Sequence, residues 1–274
     1  MKQLSVLIIC LLCPLVMMAQ RVTSPNGRLS IKTKGQQLFI NYEQQEVLEL
    51  TDFPFGDSSA SFNWSFVRNI KEDYQMLTGK RLHCTNEANE YQTALGKNVR
   101  LVLRLYNDGV AFRYEIPAME EALIKDELTT IRIPEGRKRW MQTYDQGYEG
   151  FYPESTTGKI TTGRNRSQQW GNPALIQVAD DVWTLISEAG IEKMHSASSW
   201  KNDKVVTDYK LFLDKNEKPV SGDWFSPWRV VMIGSLADVV ESTLITDVSP
   251  ASRVEDTSWI HPGSVSWIYW AYNH

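Results

Sequence analysis

Residues 99–116 read VRLVLRLYNDGVAFRYEI, and this stretch decides the fold class. Apolar side chains at positions 99, 101, 103 and 105 alternate with Arg100 and Arg104, which is the period of a β-strand with one covered face. Asn107-Asp108-Gly109 is a strong turn signal, and the apolar residues resume at Val110. The stretch therefore predicts an antiparallel β-hairpin with strands over 99–105 and 110–116.

The same pattern extends along most of the chain in both directions. Short alternating or β-branched runs separated by turn residues predict further strands at 29–33, 38–42, 47–50, 62–67, 128–133, 174–178, 182–186, 205–213 and 228–233. Helical spacing is visible over 235–242, where Ser235 is available as the N-cap. Many short strands and frequent turns predict an all-β fold, a large antiparallel sandwich or barrel.

The first 20 residues have the features of an export signal. Lys2 precedes an apolar run over 4–18, and Ala19 supplies the small residue near a cleavage point. The run is short for a membrane span, so we expect secretion across the inner membrane without a membrane anchor. Cys10 and Cys13 lie inside this leader, which leaves Cys84 alone and excludes an internal disulfide in the mature chain.

The composition argues against nucleic-acid binding and is compatible with carbohydrate binding. The chain carries 33 acidic and 29 basic residues, for a net charge of −4, and shows no clustered basic footprint for nucleic acid. It contains 10 Trp in 274 residues. Most of these should be core residues, although indole rings also stack on the apolar faces of sugars.

The C-terminal residues change character. A connector with a His261-Pro262-Gly263 breaker spans 256–263, and an aromatic, β-branched run follows over 264–270. This run either pairs back on the preceding sheet or is the first strand of a second domain, because an isolated strand would leave its backbone N–H and C=O groups unpaired and prone to aggregation. We predict a leader over 1–20, one β-domain over 21–255, and a connector with a first strand of a further domain over 256–274.

Five segments in order resemble the N-terminal domain of glycoside hydrolase family 97. They are SPNGRL at 24–29, YNDGVAFRY at 106–114, TLISEA at 184–189, WRVVMIG at 228–234, and WIHPG at 259–263 followed by Ser266-Trp267. Together they cover essentially the whole mature chain. The resemblance implies a β-super-sandwich that packs on a (β/α)8 barrel absent from this chain.

The resemblance also implies an activity and a compartment. Family members hydrolyse terminal α-glucosyl bonds with inversion or α-galactosyl bonds with retention, typically with calcium at the active site, in the periplasm of Bacteroidetes-type bacteria. The family's catalytic carboxylates belong to the barrel, so we expect no catalytic residue here and no turnover by this chain alone. The expected partners are an α-glucoside or α-galactoside and the missing barrel.

Glu188 is the residue that the resemblance marks as a metal ligand. The family's Glu at the matching Glu-Ala pair reaches from the sandwich into the active site and binds calcium, a cation that takes carboxylate oxygens. From the residues alone, Glu188 would be a solvated strand-end side chain. The sequence departs from the family after this pair, where GIEKMH at 190–195 replaces the usual acidic residue and Tyr, so the substrate preference is open.

An acidic, aromatic stretch at 145–154, DQGYEGFYPE, is a second candidate region. Carboxylates among aromatic side chains are typical of sugar sites, so Glu149 and Glu154 are predicted substrate contacts. Trp170, outside this stretch, is predicted as a further substrate contact that stacks on a sugar ring. A glycosidase needs two carboxyl groups about 5 to 10 Å apart, and Glu149 and Glu154 could reach that spacing, although a supporting role in shaping the cleft is favoured.

Two further classes of function stay open. A free-standing carbohydrate-binding module would need a sealed C-terminal edge. A mutarotase-like enzyme would need a His and a carboxylate converging on the concave face, and the four His residues are scattered along the chain. The sequence contains no Gly-rich phosphate loop and no Cys/His metal spacing.

Overall fold

The computed structural model describes residues 21–53, 61–96, 98–124, 127–160, 168–192, 197–213, 219–261 and 263–266. The predicted leader and most of the predicted strand at 264–270 lie outside these ranges, and the described residues 264–266 are not in a strand. None of the described helices has the length and apolar character needed to cross a membrane.

The described chain is mostly β-structure, with two short helices near its C-terminal end. In chain order the strands are β1 (Leu29–Lys34), β2 (Gln37–Tyr42), β3 (Gln45–Thr51), β4 (Ser65–Gln75), β5 (His83–Ala94), β6 (Arg100–Tyr106), β7 (Gly109–Ala122), β8 (Thr130–Arg132), β9 (Arg139–Thr143), β10 (Glu154–Ser155), β11 (Gln169–Ala179), β12 (Val182–Ala189), β13 (Ser198–Lys201), β14 (Asp208–Leu213), β15 (Val220–Phe225) and β16 (Trp228–Gly234). The helices are α1 (Leu236–Glu241) and α2 (Leu244–Val248).

The described strands form one antiparallel sheet of sixteen strands. Its main path runs β1-β2-β3-β8-β14-β13-β11-β12-β16-β7-β6-β5-β4, and β9, β10 and β15 pair off this path. The sheet curls, because one core cluster contains side chains from both ends of the path, including Leu29 of β1 and Leu103 of β6. Hydrogen bonds join these ends as well: the backbone N–H of Thr23 donates to Tyr91 Oη at 3.2 Å.

The hairpin expected at residues 99–116 is confirmed as β6 and β7. Leu105 pairs with Val110, and Asn107 and Asp108 form the connection. Gly109 is required because a Cβ atom there would come within 2.4 Å of the carbonyl oxygen of Val231 on β16. The turn therefore lies directly against the neighbouring strand, which fixes β7 beside β16.

The opposite side of the sheet carries a second, smaller core. Val102, Ala111, Trp228 and Val230 pack there with residues of the two helices. The helix expected at 235–242 is confirmed as α1, and the Ser235 side chain accepts from the N–H of Asp238 in a capping box. Helix α2 was not predicted, and its Leu244 is fully buried against this core.

Several strands escaped the sequence prediction, and a common cause is polar side chains on their buried faces. The strand expected at 62–67 begins at 65 and continues to 75 as β4. Strand β5 was missed because it buries Asn86, Glu90 and Thr93, which do not read as an apolar face. Strands β9, β10, β13 and β15 were also missed. The prediction of a large antiparallel β-fold is confirmed for the described residues, which are mostly β and include two short helices near the C-terminal end.

Candidate functional site

Glu188 lies next to the C-terminal residue of β12, directly opposite Arg229 on β16. The two strands pair without a register shift from Trp183 to Ala189, so these two residues are cross-strand neighbours. Along β12 the side chains of Thr184 and Ile186 belong to the large core face, and by the strand period Glu188 is on the same face. A carboxylate is therefore placed at the end of the core rather than in open solvent.

Three donors hold the Glu188 carboxylate. The backbone N–H of Ser198 donates to Oε1 at 3.0 Å, and the Ser198 hydroxyl donates to Oε2 at 2.7 Å. Arg229 Nη1 donates to Oε2 at 2.6 Å. The side chain is only 8% exposed. Strand β13, which begins at Ser198, thus fixes the orientation of a carboxylate that belongs to β12.

Arg229 also binds a second carboxylate, Glu127, in a two-pronged ion pair. Nε donates to Oε1 at 2.9 Å and Nη2 donates to Oε2 at 2.5 Å. Both side chains are 1% exposed. Two parallel hydrogen bonds from a planar guanidinium are the strongest form of such a pair. Glu127, Glu188, Ser198 and Arg229 are called the carboxylate cluster below.

Burial and charge act against each other in the carboxylate cluster. Burial raises the pKa of Glu127; the positive charge of Arg229 opposes this rise, and the Glu188 carboxylate adds to it. Burial alone would lower the pKa of Arg229, but the two carboxylates raise it above its usual range. One guanidinium thus faces two carboxylates in a buried place, 2.5 Å from Glu127 and 2.6 Å from Glu188.

Polar neighbours support the carboxylate cluster on one side. Asn172 Nδ2 donates to the carbonyl oxygen of Ser198 at 3.1 Å, and Trp200 Nε1 donates to Asn172 Oδ1 at 2.8 Å. Tyr152 Oη, from the acidic stretch, donates to the carbonyl oxygen of Asn172 at 3.3 Å. A path of hydrogen bonds therefore connects the acidic stretch with Glu188.

Glu188 could supply an oxygen ligand to a calcium ion, but it could not form a calcium site by itself. Its Oε1 accepts a single hydrogen bond and keeps a second lone pair for a cation. Calcium takes six to eight oxygen ligands. Among the described residues no group of three or more His, Cys, Asp or Glu side chains could hold a metal ion. Any further ligands would have to come from elsewhere, and the metal role of Glu188 stays a prediction.

The structure does not place the other predicted contacts in one pocket. Glu149 is exposed, and Glu154 in β10 is an exposed partner of Lys138 at 3.3 Å. Trp170 is 5% exposed within the large core, and its Nε1 donates to Asn202 Oδ1 at 2.9 Å. A sugar contact by any of the three stays a prediction, and the position of Trp170 is that of a core residue.

Three members of the carboxylate cluster, Glu127, Ser198 and Arg229, were missed by the sequence prediction. Arg229 interrupts the apolar run WRVVMIG, all of whose residues are buried, and a charge in such a run is a usable signal. Glu127 lies in a connection outside the regular strands, where nothing in the local pattern distinguishes it. Its role depends on Arg229, which is 102 positions away.

A cleft of about 230 Å³ opens on the side of the second core. Its walls include Arg68, Arg104, Arg113, Trp228 and Asp247. The guanidinium groups of Arg104 and Arg113 each lie 4.5 Å from the Trp228 ring, and Arg104 also binds Glu90 at 2.7 Å. The charged groups of Arg104 and Arg113 in this cleft are therefore already in contact with Trp228 and, for Arg104, with Glu90.

The fold and the site together define a curled antiparallel β-domain with a buried, ion-paired carboxylate cluster at the end of β12. The family described as "Glycosyl-hydrolase 97 N-terminal" matches residues 22–250, and the chain belongs to this family. The resemblance noted in the sequence is thereby confirmed.

Two curated relatives are similar over a large part of the chain. A probable retaining alpha-galactosidase of Streptomyces bingchenggensis is 29% identical over 208 residues, covering 74% of this chain and 32% of the relative. A retaining alpha-galactosidase of Bacteroides thetaiotaomicron is 22% identical, covering 98% of this chain and 47% of the relative. The chain thus spans less than half the length of either relative.

Solved structures show the same fold. A glycoside hydrolase family 97 enzyme from Pseudoalteromonas sp. strain K8, in complex with acarbose, superposes with a TM-score of 0.73 at 20% identity, over 89% of this chain and 40% of that one. A variant of it has been solved with panose. A beta-arabinopyranosidase superposes with a TM-score of 0.71 at 21% identity, over 84% of this chain and 42% of that one.

Proposed function

We propose that this chain is the N-terminal β-super-sandwich of a family 97-like α-glycosidase, which acts on terminal α-glucosyl or α-galactosyl bonds when joined to a (β/α)8 barrel. Two findings support the proposal: the family match over residues 22–250, and the likeness to enzymes solved with acarbose and panose. The chain spans 47% of the length of the Bacteroides relative, and in the proposed enzyme the reacting carboxylates belong to the barrel.

The observation that carries the proposal is the constrained Glu188 carboxylate. Strand β13 and Arg229 fix its orientation, and Oε1 accepts one hydrogen bond, from the backbone N–H of Ser198. Calcium, when bound, would polarise and position the sugar, and Glu188 would supply one of its oxygen ligands. Ser198 would keep that oxygen in place, as supporting residues do for metal ligands. A periplasmic location is part of the proposal, and it rests on the leader predicted at 1–20.

A turnover assay of the purified chain tests this division of labour. With calcium present, 4-nitrophenyl α-glucoside and α-galactoside should both be hydrolysed no faster than in buffer, because no catalytic pair is assigned to the chain. An active glycosidase would turn over at about 1 s⁻¹ or faster.

The control is a Glu188→Gln variant of the same chain. An enzyme-like rate from the wild-type chain that disappears in this variant would place an active site within the sheet itself and contradict the proposal. Equal blank rates from both proteins are the expected result.

A further inference from the structure

Residues 145–154, called the aromatic loop here, contain the most exposed aromatic group among the described residues of the sheet. Phe151 is 91% exposed, Tyr148 is 46% exposed and Tyr152 is 39% exposed. The loop rests on β9 and β11: Tyr148 Cε1 lies 3.6 Å from the position of a Cβ at Gly171, and Tyr152 Oη donates to the carbonyl oxygen of Asn172 at 3.3 Å. Three aromatic side chains within five residues thus face outward beside the Glu188 end of the sheet.

Gln142 of β9 lies beneath this loop and is unusual in its hydrogen bonding. It is 1% exposed, yet neither Nε2 nor Oε1 has a hydrogen-bond partner among the described residues. The backbone at Gly150 lies against the amide, since a Cβ there would come within 2.5 Å of Nε2. A buried amide without partners is costly and rare, so a group that pairs with this amide would be bound favourably.

The loop has the means to move away from Gln142. It contains Gly147 and Gly150, and Tyr148 is held at a φ of 52°, a conformation that L side chains rarely adopt. Its internal hydrogen bonds are short-range, such as Tyr148 N–H to the carbonyl oxygen of Asp145 at 3.1 Å. Moving the Gly150 backbone away from Gln142 would expose a donor and an acceptor on one side chain.

The Gln142 amide, once uncovered, and the exposed aromatic rings of the loop together match the chemistry of a hexose ring. A side-chain amide offers one acceptor and two donors, which suits a pair of neighbouring hydroxyls. An aromatic ring suits the apolar face formed by the sugar C–H groups. The exposed carboxylate of Glu149 is a further hydroxyl acceptor.

We propose that Phe151 and Gln142 form a binding site for one hexose unit of an α-linked oligosaccharide, with Phe151 stacking on the ring and the Gln142 amide bonding its hydroxyls once the Gly150 backbone moves off the amide. The site adjoins the carboxylate cluster, because Asn172 connects Tyr152 with Ser198. The choice of an α-linked sugar rests on the proposed function.

Isothermal titration calorimetry of the purified chain with maltotriose and with raffinose tests the site. At least one sugar should bind the wild-type chain, and Phe151→Ala should weaken that binding by about tenfold or more. Phe66→Ala, at an aromatic residue of β4 that is 42% exposed, is the matched control and should leave the affinity unchanged.

A second variant separates binding from folding. Gln142→Leu removes the partnerless amide, so it should weaken sugar binding by about tenfold while the thermal midpoint stays equal or rises. The site is overturned if neither sugar binds, if Phe151→Ala binds like the wild type, or if Gln142→Leu binds sugar unchanged. It is also overturned if Phe151→Ala impairs only association with a second polypeptide, which would make the loop a protein contact.

The outcome can be told apart from a failure of the proposed function. That function depends on a longer glycosidase, which is not present in this titration, and on Glu188, which none of its variants changes. Absence of sugar binding by the chain would remove the site and leave the glycosidase assignment intact.

Discussion

Replacing Arg229 with Met is expected to lower the free energy of unfolding by about 3 to 5 kcal/mol, because the carboxylate of Glu127 would be left buried without its cation. Arg229 and Glu127 are each 1% exposed and share two hydrogen bonds, at 2.5 and 2.9 Å. Arg229 also binds Glu188, so the same change releases the candidate metal ligand. Urea denaturation at pH 7 measures the loss.

Two comparisons make this expectation specific. Lys138→Met removes an exposed pair with Glu154 and should change stability by less than about 1 kcal/mol. The double variant Arg229→Met/Glu127→Met should be more stable than Arg229→Met alone, since no uncompensated carboxylate is left at position 127. A single Arg229→Met variant as stable as Lys138→Met would show that the cluster does not hold the sheet end together.

Stability is expected to fall between pH 4 and pH 7 through the titration of Asp247 in α2. Burial raises the pKa of Asp247 from 3.8 to about 6, although Tyr74 and Thr243 donate hydrogen bonds to it at 2.5 and 3.1 Å. Asp108 raises this pKa further, and Arg81 lowers it. Because the folded state holds the proton more tightly, the contribution is present below pH 3.8 and is lost as the pH rises through 6. With partial solvent screening, it amounts to about 2 kcal/mol.

The matched variants are Asp247→Asn and Asp238→Asn. Asp247→Asn should gain stability relative to the wild type as the pH rises from 4 to 7, as measured by urea denaturation at several pH values. The capping hydrogen bonds from Ser235 lower the pKa of Asp238, so Asp238→Asn should show a constant difference over this range. A difference for Asp247→Asn that is flat or declines with pH would refute this sign.

The parts of the fold that could be predicted are those whose sequence signal lies entirely within the element and its adjoining turn. The β6–β7 hairpin follows from the alternation of apolar residues around Asn107 and Asp108, and α1 follows from its cap at Ser235. Strand β5 could not be predicted because its buried Glu90 is satisfied by Arg104 of β6 at 2.7 Å. Arg104 belongs to another strand, so the sequence of β5 alone does not show that Glu90 has a buried partner.

The candidate site was predictable only in part, for the same reason. Glu188 was identified through the family resemblance, since a strand-end Glu is ordinarily a solvated side chain. Arg229 could have been suspected as a charge within a buried strand. Glu127 and Ser198 acquire their roles through contacts with residues 102 and 10 positions away, which appear only in the folded chain.

The intact mass of the native gene product, captured from periplasmic extract with an antibody against this domain, tests the central claim most directly. The account predicts a species well above the 31.4 kDa of this chain, as a sandwich joined to a barrel would require. A species at or slightly below 31.4 kDa, with no barrel polypeptide captured beside it, would contradict the account and leave a free-standing carbohydrate-binding domain as the function to test.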